Sequence, residues 1–328
     1  MSSQTSSTPP ATAKLVLVTG TTLVPAGVIT SIRDRGFRIR HVREDRLDAD
    51  GLARALQGVH GYLIGGFETP LAVHFDAAAD LEAVAWTGTD YKPHVPGWPR
   101  AVERGVTLIA APGANAVSVA EFTLMLMLAV ARPMLNRISM PGREPGALSE
   151  PGMELSGRRL GIIGLGRIGA HVARMARFGL GMEIAHYTPR RNHPVEAALG
   201  IRAMSKQDLL RQSHIISLHR PGPAPGEPPE LGKAELNGLR DGAIVVNVSH
   251  PGLIDHAALL QVCHTKGIRA AFDGVGEGPE WDALTALGPD RFLAVGQMGF
   301  HTNTANQRAC AQVADELCDV LSRRTSAR

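Results

Sequence analysis

The stretch Arg159-Leu160-Gly161-Ile162-Ile163-Gly164-Leu165-Gly166-Arg167-Ile168-Gly169 decides how this chain reads. Leu160 to Ile163 is a short apolar run, the pattern of a buried strand. It enters Gly164, Gly166 and Gly169 directly, which fit G-x-G-x-x-G. Val172, Met175 and Ala176 then recur at helical spacing, and Met182 to Thr188 reads as a second strand. In such a unit the first glycine permits the tight turn. The second lets backbone approach a pyrophosphate, and the third lets helix pack on strand. The helix N-terminus adds unpaired N–H groups and the positive end of its dipole. The flanking strands and helix favour a dinucleotide site over a bare glycine turn. Its candidate residues are Gly164, Gly166, Arg167, Ile168 and Gly169.

Toward the N-terminus, strands and helices alternate. Lys14–Thr19, Phe37–Val42, Gly61–Ile64, Leu81–Thr87 and Val106–Ala110 are strand-like, and Leu47–Gln57 is helical. This alternation predicts a parallel sheet covered by helices. Ligands gather at the carboxyl ends of such strands, so Gly65-Gly66 and Gly88-Thr89 are candidate substrate loops. Their alternative reading is as plain turns. Ser118 is placed to cap a helix from about Val119 to Arg132, stopped by Pro133. That helix is apolar nearly all round, which predicts burial between domains or subunits. Residues 133–157, rich in Pro and Gly, read as an arm or linker. Beyond the glycine turn, Ser213–His219, Ala243–Ser249, Ile268–Asp273 and Arg291–Val295 supply four more strands. Pro221–Pro229 is a loop, and Ala305–Leu321 a closing amphipathic helix.

A chain of 328 residues suggests about two domains. The formal net charge of +3 is too small to argue for nucleic acid, and no basic run is interleaved with aromatics. Leu124–Ala131, the longest apolar stretch, is too short to cross a bilayer. Three cysteines without a C-x-x-C suit a reducing, cytoplasmic setting. Residues 1–13 are rich in Ser, Thr and Pro and read as a disordered tail, not a signal peptide. There is no H-E-x-x-H and no G-x-S-x-G, so neither a metal site nor a serine-hydrolase elbow is expected.

Several motifs stand in one order: Gly88-Thr89-Asp90, Gly105-Val106, Pro112-Gly113-Ala114-Asn115 and Val119-Ala120-Glu121. Then come Gly164 to Gly169, Ser217-Leu218-His219-Arg220-Pro221, Asn247-Val248-Ser249, Gly252-Leu253-Ile254-Asp255 and Phe272-Asp273. In these the chain resembles the D-2-hydroxyacid dehydrogenase family, which includes phosphoglycerate, glyoxylate and formate dehydrogenases. The resemblance covers nearly all of residues 14–322. It implies an α/β fold of two Rossmann-like or flavodoxin-like doubly wound parallel-sheet domains with a cleft between them. Residues 14–118 plus 297–328 would form the substrate domain and 119–296 the NAD(P)-binding domain. A homodimer through the 119–157 helix and arm is implied too. Asn115 joins Gly65, Gly66, Gly88 and Thr89 as a candidate substrate residue. His219, Pro221, Val248, Ser249 and Asp273 join the cofactor set, with Asp273 at the nicotinamide carboxamide.

The family moves a hydride between nicotinamide C4 and C2 of a hydroxy or keto acid. An arginine holds the carboxylate, a histidine transfers the oxygen's proton, and a glutamate raises that histidine's pKa. This sequence departs at all three slots. His250 follows Asn247-Val248-Ser249 where the arginine is expected, Gly278 takes the glutamate slot, and Gln297 the histidine slot. An amide has no useful proton to give, so Gln297 cannot serve as a general acid. His250 is a candidate to polarise an oxygen or donate a proton. Glu277 adjoins the vacated glutamate slot, and His301 lies four residues after Gln297. Each lone histidine also has a plainer reading as an ordinary hydrogen-bonding residue.

The second strand ends Tyr187-Thr188-Pro189-Arg190-Arg191. An acidic residue there would hold a ribose 2′-OH and signal NAD. Thr188 or Pro189 occupies that slot, and Arg190 and Arg191 suit a 2′-phosphate. NADP is therefore favoured, with NAD possible. Three function classes follow: an oxidoreductase with an atypical small-molecule acid substrate, an NAD(P)-binding pseudoenzyme, or a non-redox enzyme using nicotinamide transiently.

Overall fold

A computed structural model of the chain describes residues 10, 12–132, 135, 151–191, 193–224 and 226–326. Most of the tail expected at 1–13, the helix stop at Pro133 and most of the arm at 133–157 lie outside the described residues. The chain divides into two compact units, Met1–Asn115 with His301–Arg328, and Ala116–Phe300.

The first unit holds strands β1 (Leu15–Thr19), β2 (Arg38–Val42), β3 (Gly61–Ile64), β4 (Ala83–Trp86) and β5 (Thr107–Ile109). They form one parallel sheet in the order β2-β1-β3-β4-β5, the flavodoxin-like winding. Its helices are α1 (Ala26–Asp34), α2 (Ala49–Ala55), α3 (Ala72–Ala77), α4 (Trp98–Glu103) and the closing α12 (Asn303–Ser326). Side chains alternate across a strand, and β1 shows the consequence. Val16 and Val18 pack against α1 and α12, beside Ile32, Val313 and Leu317. Leu17 faces the opposite core, with Leu52, Tyr62 and Phe75. Both faces are covered at the middle of the sheet, so β1, β3 and β4 read as continuous apolar runs, whereas the edge strand β2 carries Arg38, Arg40 and His41.

The second unit holds α5 (Ala116–Ala131), β6 (Arg159–Ile163), α6 (Arg167–Leu180), β7 (Glu183–Tyr187), α7 (His193–Leu199) and β8 (Arg202–Ala203). It continues with α8 (Lys206–Gln212), β9 (Ile215–Leu218), α9 (Lys233–Asn237), β10 (Ile244–Asn247), α10 (His256–Lys266), β11 (Arg269–Asp273), α11 (Pro279–Thr285) and β12 (Phe292–Val295). The parallel order β12-β11-β10-β9-β6-β7-β8 is the Rossmann winding with one strand added. On one face Ile163, Ile216, Val245 and Phe272 form a core. On the other, Leu160, Ile162, Ile215 and Val246 pack with Leu126, Met127 and Val130 of α5.

Ser118 does not cap α5. The helix starts two residues earlier, at Ala116, and Ser118 is buried within its first turn. The apolar reading of α5 holds for most of its length, but Met125 and Leu128 are exposed. The two-residue strand β8 was not anticipated. Among the described residues it pairs only with β7, and two residues carry no periodic signal.

Candidate cofactor and catalytic site

In the second unit the winding reverses at β6, which pairs with β7 on one side and β9 on the other. The glycine turn sits at that switch point. Gly164 has φ +100°, and a Cβ there would lie 2.4 Å from the carbonyl oxygen of His219, at the end of β9. Only glycine fits both the dihedral and the space. A Cβ on Gly169 would lie 2.2 Å from the Gly164 carbonyl oxygen, so this glycine seats α6 against the turn. Gly166 differs from both. It is the N-cap of α6 at φ −87°, with no side-chain cap, and a Cβ there would meet nothing within 4 Å. Gly166 thus leaves open space at the N-terminus of a fourteen-residue helix, whose first N–H groups have no intrahelical acceptor. Arg167 beside them is exposed and Ile168 half-buried. This cradle fits a pyrophosphate.

His219 packs against the turn. Its Nε2 lies 2.8 Å from Ser217 Oγ, while Nδ1 is buried and has no partner among the described residues. Burial lowers its pKa to about 3. The folded ring therefore resists protonation below the ordinary value near 6.5, whereas the unfolded ring does not. The resulting stability is full above pH ~6.5 and falls by roughly 1 kcal/mol per pH unit toward pH ~3. Urea melts of the parent and a His219→Gln variant between pH 6 and 4 should show the variant's stability declining less steeply. Parallel declines would show that His219 does not carry this term. Pro221, next along the loop, is exposed.

At the end of β7, Thr188 is half-buried and Arg190 exposed. Arg191 is not free. Its guanidinium grips Glu196 with both Nε and Nη2, on a carboxylate that is only 5% exposed. Buried His186 reaches the same carboxylate at 3.4 Å, and His193 at 3.7 Å. The Arg191 hydrogen bond is the main cause of the lowered Glu196 pKa. Sequence reading missed this carboxylate because it arrives from α7, after the strand-end slot.

The loop after β10 is built by Asn247, which is fully buried. Its Oδ1 accepts from Ser249 N at 3.0 Å, and its Nδ2 donates to the His250 carbonyl at 3.0 Å. Val248 and Ser249 are half-buried, and Ser249 Oγ donates to the Leu218 carbonyl at 3.4 Å. His250 Nδ1 accepts from Gly252 N at 3.0 Å. In the neutral ring, Nε2 then carries the proton, as a donor. A Cβ on Gly222 would lie 2.8 Å from His250 Cβ, so the loop at Pro221 packs on this imidazole.

Asp273, at the end of β11, accepts from Met298 N at 2.7 Å and Gly299 N at 3.0 Å. Burial raises its pKa, opposed by those two bonds. The carboxylate thereby clips the loop after β12, which carries Gln297. Gln297, at φ +52°, is the one non-glycine residue at positive φ among the described residues. Strain of this kind collects at functional sites. Gly278, the glutamate slot of the resemblance, has φ +96° and ψ 171° as N-cap of α11. That region is essentially reserved for glycine, so a glutamate does not fit Gly278 on this backbone. Neighbouring Glu277 is exposed.

In the first unit, Gly65 and Gly66 follow β3, at this sheet's own reversal between β1 and β3. A Cβ on Gly65 would lie 2.5 Å from the Thr19 carbonyl oxygen, and one on Gly66 would lie 2.2 Å from Glu68 Oε2. Glu68 is 5% exposed and accepts from the hydroxyls of Thr19 and Tyr62, which pins this loop. Nothing in its spacing had marked it. After β4, Gly88 packs on the Trp86 indole, and Thr89 Oγ1 meets Asn115 Oδ1 at 3.3 Å. His301 belongs to this unit, is exposed, and has Nδ1 at 3.4 Å from Asn306 Nδ2.

A Rossmann unit with a glycine turn at its switch point, carried with a flavodoxin-like unit, defines an α/β protein of the dinucleotide-binding class. Residues 124–287 match the model of the D-isomer specific 2-hydroxyacid dehydrogenase NAD-binding domain. The chain belongs to that family. It is 34% identical over 225 residues to D-3-phosphoglycerate dehydrogenase of Methanocaldococcus jannaschii, covering 67% of this chain and 42% of that protein. It is 28% identical to hydroxypyruvate reductase of Thermotoga maritima, covering 84% and 89%. The chain thus spans about half or less of the phosphoglycerate dehydrogenases it matches. The TT0316 protein of Thermus thermophilus has a similar structure, with TM-score 0.77 and 26% identity over 94% of this chain and 97% of that one.

Proposed function

We propose that this protein is an NAD(P)-dependent oxidoreductase of a small acid-type substrate, with altered acid–base groups and an atypical substrate. The division of labour among Gly164, Gly166 and Gly169 is the observation that carries it. Bound nicotinamide supplies the hydride acceptor or donor. Gly164–Gly169 would hold the pyrophosphate, with His219, Pro221, Val248 and Ser249 bordering it. Asp273 would take the carboxamide while holding the Gln297 loop. His250 presents Nε2–H and would polarise a substrate oxygen or carboxylate. Gln297, Glu277 and His301 complete the catalytic candidates, and Gly65, Gly66, Gly88, Thr89 and Asn115 the substrate candidates. Residues 14–118 with 297–328 would act as the substrate domain, and 119–296 as the cofactor domain. Exposed Met125, Leu128 and Phe178 suit a homodimer through α5 and α6. No helix among the described residues is long and apolar enough to cross a membrane, and a cytoplasmic setting belongs to this reading.

Titration by cofactor fluorescence, followed by a keto-acid turnover panel, tests the proposal. Binding with turnover supports it. Binding without turnover on a broad panel favours a pseudoenzyme sensor, which the absent proton donor at Gln297 suggests. Product release without net redox change would indicate transient use of nicotinamide.

The cofactor preference follows from β7. No carboxylate occupies Thr188 or Pro189, and Arg190 is exposed, so NADPH is expected to bind at least as tightly as NADH. Arg190→Ala should weaken NADPH more than NADH. Glu196→Gln should free Arg191 and raise NADPH affinity about tenfold, the order of one charge-assisted contact. A clear NADH preference in the parent protein would overturn this assignment.

A further inference from the structure

Opposite the glycine turn, at the amino ends of β6, β9 and β10, lies a cavity of about 300 Å³. Arg158, His214, Arg240 and Gly242 line it, with Asp241 and Arg269 at its walls. Neither this cavity nor a neighbouring one of about 500 Å³ is lined by Gly164–Gly169.

His214 is surrounded by donors. Its Nδ1 lies 3.2 Å from Arg159 N, and its Nε2 lies 2.9 Å from Arg240 Nη1 and 3.3 Å from Arg158 Nη1. A backbone N–H and a guanidinium only donate, and a neutral imidazole accepts at one nitrogen alone. Every tautomer therefore leaves an N–H facing another donor. Protonation makes the conflict worse. Burial and then the charges of Arg240, Arg158 and Arg159 lower the His214 pKa.

The nearby carboxylates do not relieve this excess. Glu183 pairs with Arg159 at 3.0 Å, and Asp241 with Lys266 at 3.5 Å. Arg269 spends its Nη1 on the carbonyls of Val130 and Ala131. Among the described residues, Arg158 and Arg240 have no ion-pair partner. Two exposed guanidinium forks and a half-buried ring converge on one cavity, and the carboxylate in its wall, Asp241, is paired with Lys266.

We propose that this cavity is an anion site for a phosphate group, free or carried on a small metabolite. A phosphate oxygen placed between the forks would accept from Arg158, Arg240 and His214 Nε2–H together. Planar forks suit its geometry. The site is separate from the cofactor cradle. The two lie at opposite ends of β6, whose five residues span about 16 Å.

Calorimetric titration of the full chain tests the site, with inorganic phosphate in one arm and glycerol phosphate in the other. Each arm runs with and without saturating NADH, at fixed ionic strength in chloride. One-site binding that persists with NADH is expected. Arg158→Gln and Arg240→Gln should each weaken it about tenfold or more, with NADH affinity and circular dichroism unchanged. Inorganic phosphate alone binding marks a free-ion site. Glycerol phosphate binding as well marks a site for esters. No heat in either arm, equal affinity in both variants, or loss of binding with NADH would overturn the proposal.

Discussion

A Gly166→Val variant is expected to fold as the parent does and to bind dinucleotide at least about 100-fold more weakly. The fold is spared because Gly166 sits at φ −87°, where any L-residue is comfortable, and its Cβ direction is empty. Binding is lost because that empty space lies at the N-terminus of α6, where the pyrophosphate is expected. A valine there keeps phosphate oxygens beyond hydrogen-bond reach, and two lost charge-assisted bonds suffice for the factor. Gly169→Ala should act first on the fold. Its Cβ would lie 2.2 Å from the Gly164 carbonyl oxygen, so α6 must shift off the turn. Overpacking of that kind costs about 1–3 kcal/mol. Thermal melts and NADH fluorescence on both variants separate the two effects. Unchanged affinity in Gly166→Val would reduce the motif to a turn.

That contrast also shows what the sequence makes legible. Three glycines at fixed spacing between a strand and a helix have few structural solutions, so turn and helix could both be read from residues alone. The same holds for Leu15–Thr19, whose two covered faces leave an unbroken apolar run. Signals faded where the information is not local. Ser118 looks like a cap, yet α5 begins before it, because Ala116 and Ala120 already pack into the cores. Arg191 looks like a free cation until Glu196 folds back onto it from the next helix. Glu68 carries no motif, and its importance comes from Thr19 and Tyr62 on two neighbouring strands. His214 and Arg240 lie 26 residues apart and meet only because β9 and β10 are adjacent. Backbone dihedrals were the least legible. Nothing in the letters announces that Gln297 is held at φ +52°, or that Gly278 occupies a region closed to glutamate.

Those two dihedrals shape the test of the chemistry. Pyruvate, glyoxylate and hydroxypyruvate are expected to be poor substrates for the parent protein. A positioned acid contributes about 10²–10⁴-fold, and the Gln297 amide cannot supply it. If position 250 is the family's arginine slot, a histidine there also lacks the bidentate carboxylate anchor. If His250 Nε2–H polarises the substrate, His250→Ala should remove what activity exists, and Gln297→Ala should merely weaken it. Installing the family's groups is the stronger experiment, and the structure decides which to install. Gly278→Glu would place a glutamate at φ +96°, at a cost of about 1–3 kcal/mol, so it is left out. Gln297→His suits its backbone, since histidine is among the residues enriched at positive φ. His250→Arg gives up the bond to Gly252 N, about 1 kcal/mol as for a lost cap, while Asn247 still holds the loop through the His250 backbone carbonyl. The double variant His250→Arg, Gln297→His should therefore fold and reduce simple keto acids about 100-fold faster than its parent. Steady-state kcat/KM on the three acids, with cofactor affinity measured alongside, reads the gain. Robust turnover by the parent, or no gain in a double variant that still binds cofactor, would show that these two positions are not the slots that set the chemistry.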